Sequence, residues 1–372
     1  MTSPVLDIAE GMPHDARAEQ NVILNTADVS QELGTTGATL TTDTWKWIVD
    51  MGAAKYKNTA AVVTSAQVPL TSTLATPGFR NGLQIKATTA LSSMTNGDYA
   101  KLGWWAEGYA IANWGWGAAN SLSVSYALAY WSDKAGPIML RFGNGVDRWY
   151  YVDATAIVGY NFVSGTLQGC SDGTWDSTNG VGLVMELFVA GKAASPVTAG
   201  SWGSTVNVAT TAFNNTNLLD TTNFKVIGVG CYVGAATQVI ASITTLARRM
   251  RSFPKVLQEA QRYWEATYDY GVAAGTSTSA GAVGDQRSAG NTGRDVTIEW
   301  RYSVPKRTSV TPTIYSTTGA SGNIRDIDAP ADRSALIDAA GIKGVLIIGN
   351  TTITIGHAHI CHAVADARPT LG

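Results

Sequence analysis

LQIKATTALSSMTNGDYAKLGWWAEGYAIANWGWGAANSLSVSYALAYW, residues 83–131, carries five of the chain's twelve tryptophans in sequence suited to strands. Its last part sets the period: Leu122, Val124, Tyr126, Leu128 and Tyr130 alternate with Ser and Ala, so an extended backbone turns all of them to one face. This predicts a half-buried strand over a core. No catalytic motif accompanies the aromatics, and a large, stiff ring loses little entropy when it grips a ligand or a partner. Trp114 and Trp116 flank Gly115; in an extended conformation both rings point to one side, where glycine lets a ligand reach the backbone. With Trp104 and Trp105 they are the candidate glycan-binding residues. The competing role is core packing or a subunit contact, because Trp is highly buried on average. Trp131, closing the alternating strand, is assigned to the core.

Outward from this stretch the same alternation recurs at Ile138 to Phe142, Trp149 to Val152, Val181 to Phe188 and Phe224 to Val233, with turns at DGTWDSTNG and NNTN. Eight or more such strands predict a jelly-roll β-sandwich over residues 41–250. Residues 1–40 mix acids and Pro with short apolar pieces and read as an N-terminal attachment arm. SFPKVLQEAQRYWEATYDYG predicts one connector helix over residues 251–270, with Ser252 near the cap, Pro254 in the first turn and Gly271 as the stop. A Gly/Ser/Ala-rich loop follows, and strands resume at VTIEWRYSVP, PTIYST, VLIIGN, TITIG and HAHICHAV. Residues 271–372 thus predict a C-terminal β-sandwich domain. The fold class is mainly β.

Charged residues make up 15% of the chain against 45% hydrophobic, and the net charge is -2. No basic cluster is broad enough to track a phosphate backbone, so nucleic acid is not expected as a partner. No apolar run approaches the length that spans a bilayer, and no apolar leader follows the N-terminus, so no membrane insertion is expected. So low a charge density favours a protein that buries surface against other subunits. The three cysteines, Cys170, Cys231 and Cys361, are odd in number and far apart, so they describe neither a disulfide framework nor a paired zinc motif.

TDTWKW, GLQIKATTA, the aromatic stretch from GDYAKLGWW to ALAYW, DGTWDSTNGVGL and NTNLLDTTNFKVIGVGCYVG resemble, in this order, a family of bacteriophage virion proteins of the tail-fibre or minor-tail type, built on a carbohydrate-binding-module-like jelly roll. SFPKVLQEAQRYWEATYDYG and RYSVPKRTSVTPTIYS are similar to the family's connecting helix and C-terminal β domain, so the resemblance covers residues 40–372. It implies a structural, non-enzymatic protein of the virion, assembled in the host cytoplasm. It further implies a homotrimer adhering to host-surface glycan; the N-terminal arm, outside the resemblance, is expected from its composition to hold the chain to other virion proteins. A capsid decoration, head-fibre or collar protein with a stabilising or spacing role is the alternative.

Other chemistry is weighed against this. His357 and His359 are candidate metal ligands, and with Cys361 they share one face of a strand; ordinary histidines in a subunit contact are the plainer role. Asp172 and Asp176 in CSDGTWDSTNG could hold calcium, or simply solvate a turn. A polysaccharide depolymerase ranks below these. It needs two facing carboxylates, for which Glu107 and Glu186 are the candidates, and no long β-helix repeat is present.

Overall fold

The structure, a computed structural model of the chain, describes residues 21–71, 79–90, 94–219, 223–233, 242–285, 296–349 and 357–369. In chain order the first part holds β1 (Ala38–Thr39), β2 (Lys46–Val49), β3 (Gly52–Lys57), β4 (Val62–Pro69), β5 (Asn81–Thr89), β6 (Tyr99–Glu107), β7 (Val124–Ser132) and β8 (Gly136–Gly143). There follow β9 (Trp149–Ala156), β10 (Gly159–Leu167), β11 (Val181–Gly191), β12 (Trp202–Gly203), β13 (Thr216–Asn217) and β14 (Asn223–Val233). They form two antiparallel sheets, one in the order β1-β4-β5-β14-β7-β10 and the other β12-β9-β8-β11-β6-β3-β2, with β13 also on β11. This is the jelly-roll sandwich expected from the alternation. Val124, Tyr126, Leu128 and Tyr130 of β7 meet Leu102 and Trp104 of β6, Leu140 and Phe142 of β8, and Met185 and Leu187 of β11 in one buried core.

Residues 21–40 correct the expectation of an arm there: they are packed against the sandwich. The Asn21 amide donates to the Val229 carbonyl (2.9 Å) and accepts from the Cys231 N–H (2.9 Å), taking up backbone groups of β14. Ile23 and Ala27 enter the core, and the Trp104 indole N–H donates to the Thr26 carbonyl (3.1 Å). Such docking covers β14 and satisfies polar groups that burial would otherwise orphan. Residues 1–20 of the expected arm lie outside the described residues.

Three helices are described: α1 (Gly108–Ile111), α2 (Ile243–Arg249) and α3 (Phe253–Ala260). The connector is shorter than expected. Ser252 precedes it and Pro254 sits in its first turn, but it stops at Ala260, and Trp264–Ala266 become a strand. The aromatic run from Tyr263 to Tyr268 suits a strand, and the edge of the last strand of the chain offers it a partner: Trp264, Glu265 and Ala266 pair with Asp366, Ala365 and Val364. Among the described residues, no helix is long and apolar enough to cross a membrane.

The C-terminal part holds β15 (Trp264–Ala266), β16 (Val283–Asp285), β17 (Thr297–Arg301), β18 (Thr313–Tyr315), β19 (Asn323–Asp326), β20 (Ala331–Ala340), β21 (Gly344–Gly349) and β22 (His359–Asp366). The order β15-β22-β19-β20-β21-β17, with β16 and β18 also on β22, makes β22 the central strand. Ile298, Trp300, Ile324, Ile347, Cys361 and Ala363 belong to a core of its own. The expected strand TITIG lies outside the described residues.

Candidate saccharide-binding face

Period two places every second residue of β7 on the outside of its sheet: Ser125, Ala127, Ala129 and Trp131. On the neighbouring edge strand β10, Tyr160, Phe162, Ser164 and Thr166 share that outer side, with Tyr160 opposite Trp131 and Phe162 opposite Ala129. Trp131, Tyr160 and Phe162 are half-buried and pack against the outer-face cluster that holds Ala127 and Ala129. Across β7, on β14, Gly228 and Gly230 leave room for α2: a methyl group built on Gly228 would lie 2.5 Å from the Phe79 ring, and one on Gly230 would lie 2.8 Å from Leu246. Leu246 and Phe79 thereby cover the β14 half of the face, while the three rings of the β7/β10 half stay half-buried among the described residues.

Polar groups border the rings. The Trp131 indole N–H donates to Asp133 (2.8 Å), whose other oxygen accepts from the backbone and side-chain amides of Asn223 (both 3.0 Å). Burial pulls the Asp133 carboxyl up, but the donors Trp131 and Asn223 and the Lys225 charge outweigh it and hold the carboxyl below its ordinary range. Lys225 stands opposite Trp131 on β14, and Gln84 donates to Asn223 (3.2 Å). The Tyr160 hydroxyl is covered and has no hydrogen-bond partner among the described residues; burial pushes its pKa up to about 12, so it stays a neutral donor. Three rings on a stiff sheet, with an acid, a cation and amides around them, are the components with which a polyol is held: stacking on its C–H faces and hydrogen bonds to its hydroxyls.

The sequence candidates lie elsewhere. Trp104, Trp105, Trp114 and Trp116 are all buried. The expected extended geometry at Trp114–Trp116 is replaced by a short 3-10 turn over Ala112–Trp114 and a left-handed Gly115 (φ 66°). The two rings pack edge to face (centroids 4.8 Å), and Trp116 also meets Trp175 (4.5 Å) and Trp202 (5.2 Å). The indole N–H groups of Trp116, Trp175 and Trp202 donate to the backbone carbonyls of Leu122, Asp172 and Gln168. These rings clasp loops together instead of offering a platform. Trp105 packs against Trp45 and Trp47, and Trp104 lies in the central core. Trp131, assigned to the core from sequence, is the ring that faces out. The parity held the signal: the core face of its strand carries even numbers, and Trp131 is odd.

Asp172 and Asp176 are engaged separately. Asp172 grips the Arg148 guanidinium with both oxygens (2.8 Å each), and Asp176 accepts from the Thr178 N–H (2.6 Å) and hydroxyl (2.8 Å). Glu186 sits between Lys101 (2.7 Å) and Arg141 on the outer side of the second sheet. Burial there raises its pKa, and the two cations more than reverse that. Glu107 is held by Arg262 (3.1 Å) and the Tyr263 hydroxyl (3.1 Å). Glu186 stands opposite Gly103, four residues along β6 from Glu107, which is roughly 13 Å at strand rise. Paired glycosidase carboxylates stand about 5 to 9.5 Å apart. His357 Nδ1 lies 3.0 Å from both oxygens of Asp326, and His359 Nε2 lies 3.8 Å from one of them. Cys361, in contrast, faces the C-terminal core, where burial pushes its thiol up to about 12.

No protein-family profile and no curated protein matches the chain. Among solved structures, it is similar to a family 11 carbohydrate-binding module from Clostridium thermocellum in complex with a β-1,3-1,4-mixed-linked tetrasaccharide, at 10% identity and a TM-score of 0.28 over 54% of this chain and 96% of that one. It is similar to the enzymatically active domain of tailspike protein 4 of bacteriophage CBA120, at 10% identity and a TM-score of 0.25 over 56% and 22% of the two chains. The tandem CBM22 domains of Paenibacillus barcinonensis Xyn10C align at 8% identity and a TM-score of 0.25 over 92% and 93%.

Proposed function

We propose that the chain is a non-catalytic saccharide-binding protein of a phage particle, and that the Trp131–Tyr160–Phe162 face of its jelly roll is the contact surface. The observation that carries this reading is a row of three half-buried rings on one sheet face, bordered by the polar side chains of Asp133, Asn223 and Lys225. The virion setting is supported by the ordered sequence resemblance, and the absence of catalysis by the way Glu107 and Glu186 are each tied to cations. Homotrimeric assembly would multiply weak contacts through effective concentration.

The test is an array of bacterial-surface oligosaccharides and β-glucans probed with the full chain and with its Trp131→Ala and Tyr160→Ala variants. Binding to a defined set of saccharides, reduced at least tenfold in both variants, is expected. Failure of the wild-type chain to bind any of them contradicts the reading. Antibody labelling of intact particles under the electron microscope tests the setting: label at the tail end fits adhesion, and label over the head fits decoration.

A further inference from the structure

The turn between β19 and β20 brings two carboxylates to a histidine from a distant segment. Asp326 ends β19, Asp328 lies in the turn, and His357 stands immediately before β22. One ligand atom from each lies within 4.8 Å of the others. Two hydrogen bonds fix the arrangement: the Ile327 N–H donates to the Ala358 carbonyl (3.0 Å), and the Ala358 N–H donates to one oxygen of the Asp328 carboxylate (2.7 Å). The Asp326 side chain is wholly covered, and both its oxygens lie 3.0 Å from His357 Nδ1. A second imidazole, His359 Nε2, approaches the same carboxylate at 3.8 Å.

We propose that Asp326, Asp328 and His357 form a binding site for a divalent transition ion of the zinc type, with His359 beside it. Ligand atoms about 2.0 to 2.2 Å from a zinc ion stand roughly 3.3 to 3.6 Å apart along a tetrahedral edge, so the 3.0 Å between His357 and Asp326 needs to widen by only a few tenths of an ångström to admit one. Mixed imidazole and carboxylate donors suit zinc and its neighbours better than calcium, which takes six to eight oxygens. Two carboxylates match the ion's charge and one imidazole completes three protein ligands, leaving further positions for water or a partner's side chain. The competing cation is Arg333, whose guanidinium lies 3.9 Å from Asp326. An ion here would tie the β19–β20 turn to the start of the central strand β22, a contact independent of the aromatic face.

The experiment is calorimetric titration of zinc chloride into the full chain after dialysis against a chelator, with His357→Ala, Asp328→Asn and His14→Ala variants alongside. Asp328 and His357 are chosen because Asp326 also caps its own turn through the Ala329 N–H, and its loss would threaten folding. Circular dichroism confirms that each variant is folded. One ion per chain, weakened at least tenfold in both His357→Ala and Asp328→Asn and unchanged in His14→Ala, is expected. Absence of binding by the wild-type chain, or wild-type affinity in either folded site variant, overturns the proposal.

Discussion

Trp116 and Trp131 come from the same aromatic stretch, and the partner of each indole N–H tells them apart. Trp116 gives its proton to a backbone carbonyl inside a clasp of rings, and Trp131 gives its proton to a side chain at the edge of an open face. Sequence made the strand legible, together with the parity that sends Trp131 outward. It did not reveal that Tyr160 would stand opposite Trp131, because that pairing depends on register between two strands from different hairpins. Asp50 is a different case. Its carboxylate accepts from the Gln31 N–H (3.1 Å) and side-chain amide (3.2 Å), yet full burial pushes its pKa up to about 7 against those donors and Arg368. An acid that holds its proton more tightly when folded gives stability that is fully present below its unfolded pKa, about 4, and lost as pH rises through 7. Burial depresses the pKa of His362, which therefore acts in the opposite sense, losing stability as pH falls below the ordinary imidazole range. Asp50→Asn removes only the first slope: between pH 5 and pH 8 the wild-type chain should lose urea stability relative to the variant. Parallel pH profiles would contradict the role given to Asp50.

At the scale of elements, the clasp of Trp114, Trp116, Trp175 and Trp202 pins three loops at the end of the sandwich, and the indole N–H groups of Trp116, Trp175 and Trp202 are satisfied by backbone. Trp116→Ala should cost about 3 to 5 kcal/mol in urea unfolding, the usual range for removing a large buried ring, and leave saccharide affinity of the folded protein unchanged. A cost under about 1 kcal/mol would mean that the clasp is not packed as described. The alternating strands of the sandwich were readable because period two survives on one face. The connector was only half readable: Ser252 and Pro254 mark its start, but its end at Ala260 is set by the pairing of Trp264–Ala266 with β22, a contact about 100 residues away in sequence. The docking of residues 21–33 was hidden for the same kind of reason, since the side-chain amides of Asn21 and Asn25 take partners on the distant strand β14 and in the turn between β2 and β3.

For the whole molecule, the sandwich and the C-terminal sheet are tied by buried polar groups. The Gln31 amide bridges Asp50 (3.2 Å) and the Trp264 carbonyl (3.0 Å), and Arg368 joins Glu32 (2.9 Å) to Asp366 (2.6 Å) between the rings of Trp47 and Trp264. Lys306, fully covered, pairs with Glu265 and the Gln261 carbonyl, while Arg262 reaches Glu107 on β6. Removing one partner of such a pair strands a buried charge, at about 3 to 5 kcal/mol. The wild-type chain should therefore melt in one calorimetric transition, and Arg368→Ala should lower and broaden it or split it in two. A variant that melts as the wild type does would show the joint to be energetically idle. The central claim is that the open rings of the first sheet hold the ligand while the clasped tryptophans hold the fold. It is tested most directly by calorimetric titration of the best saccharide from the array into Trp131→Ala and Trp175→Phe. The account predicts at least tenfold weaker binding in the first and wild-type affinity in the second; wild-type affinity in Trp131→Ala would contradict it.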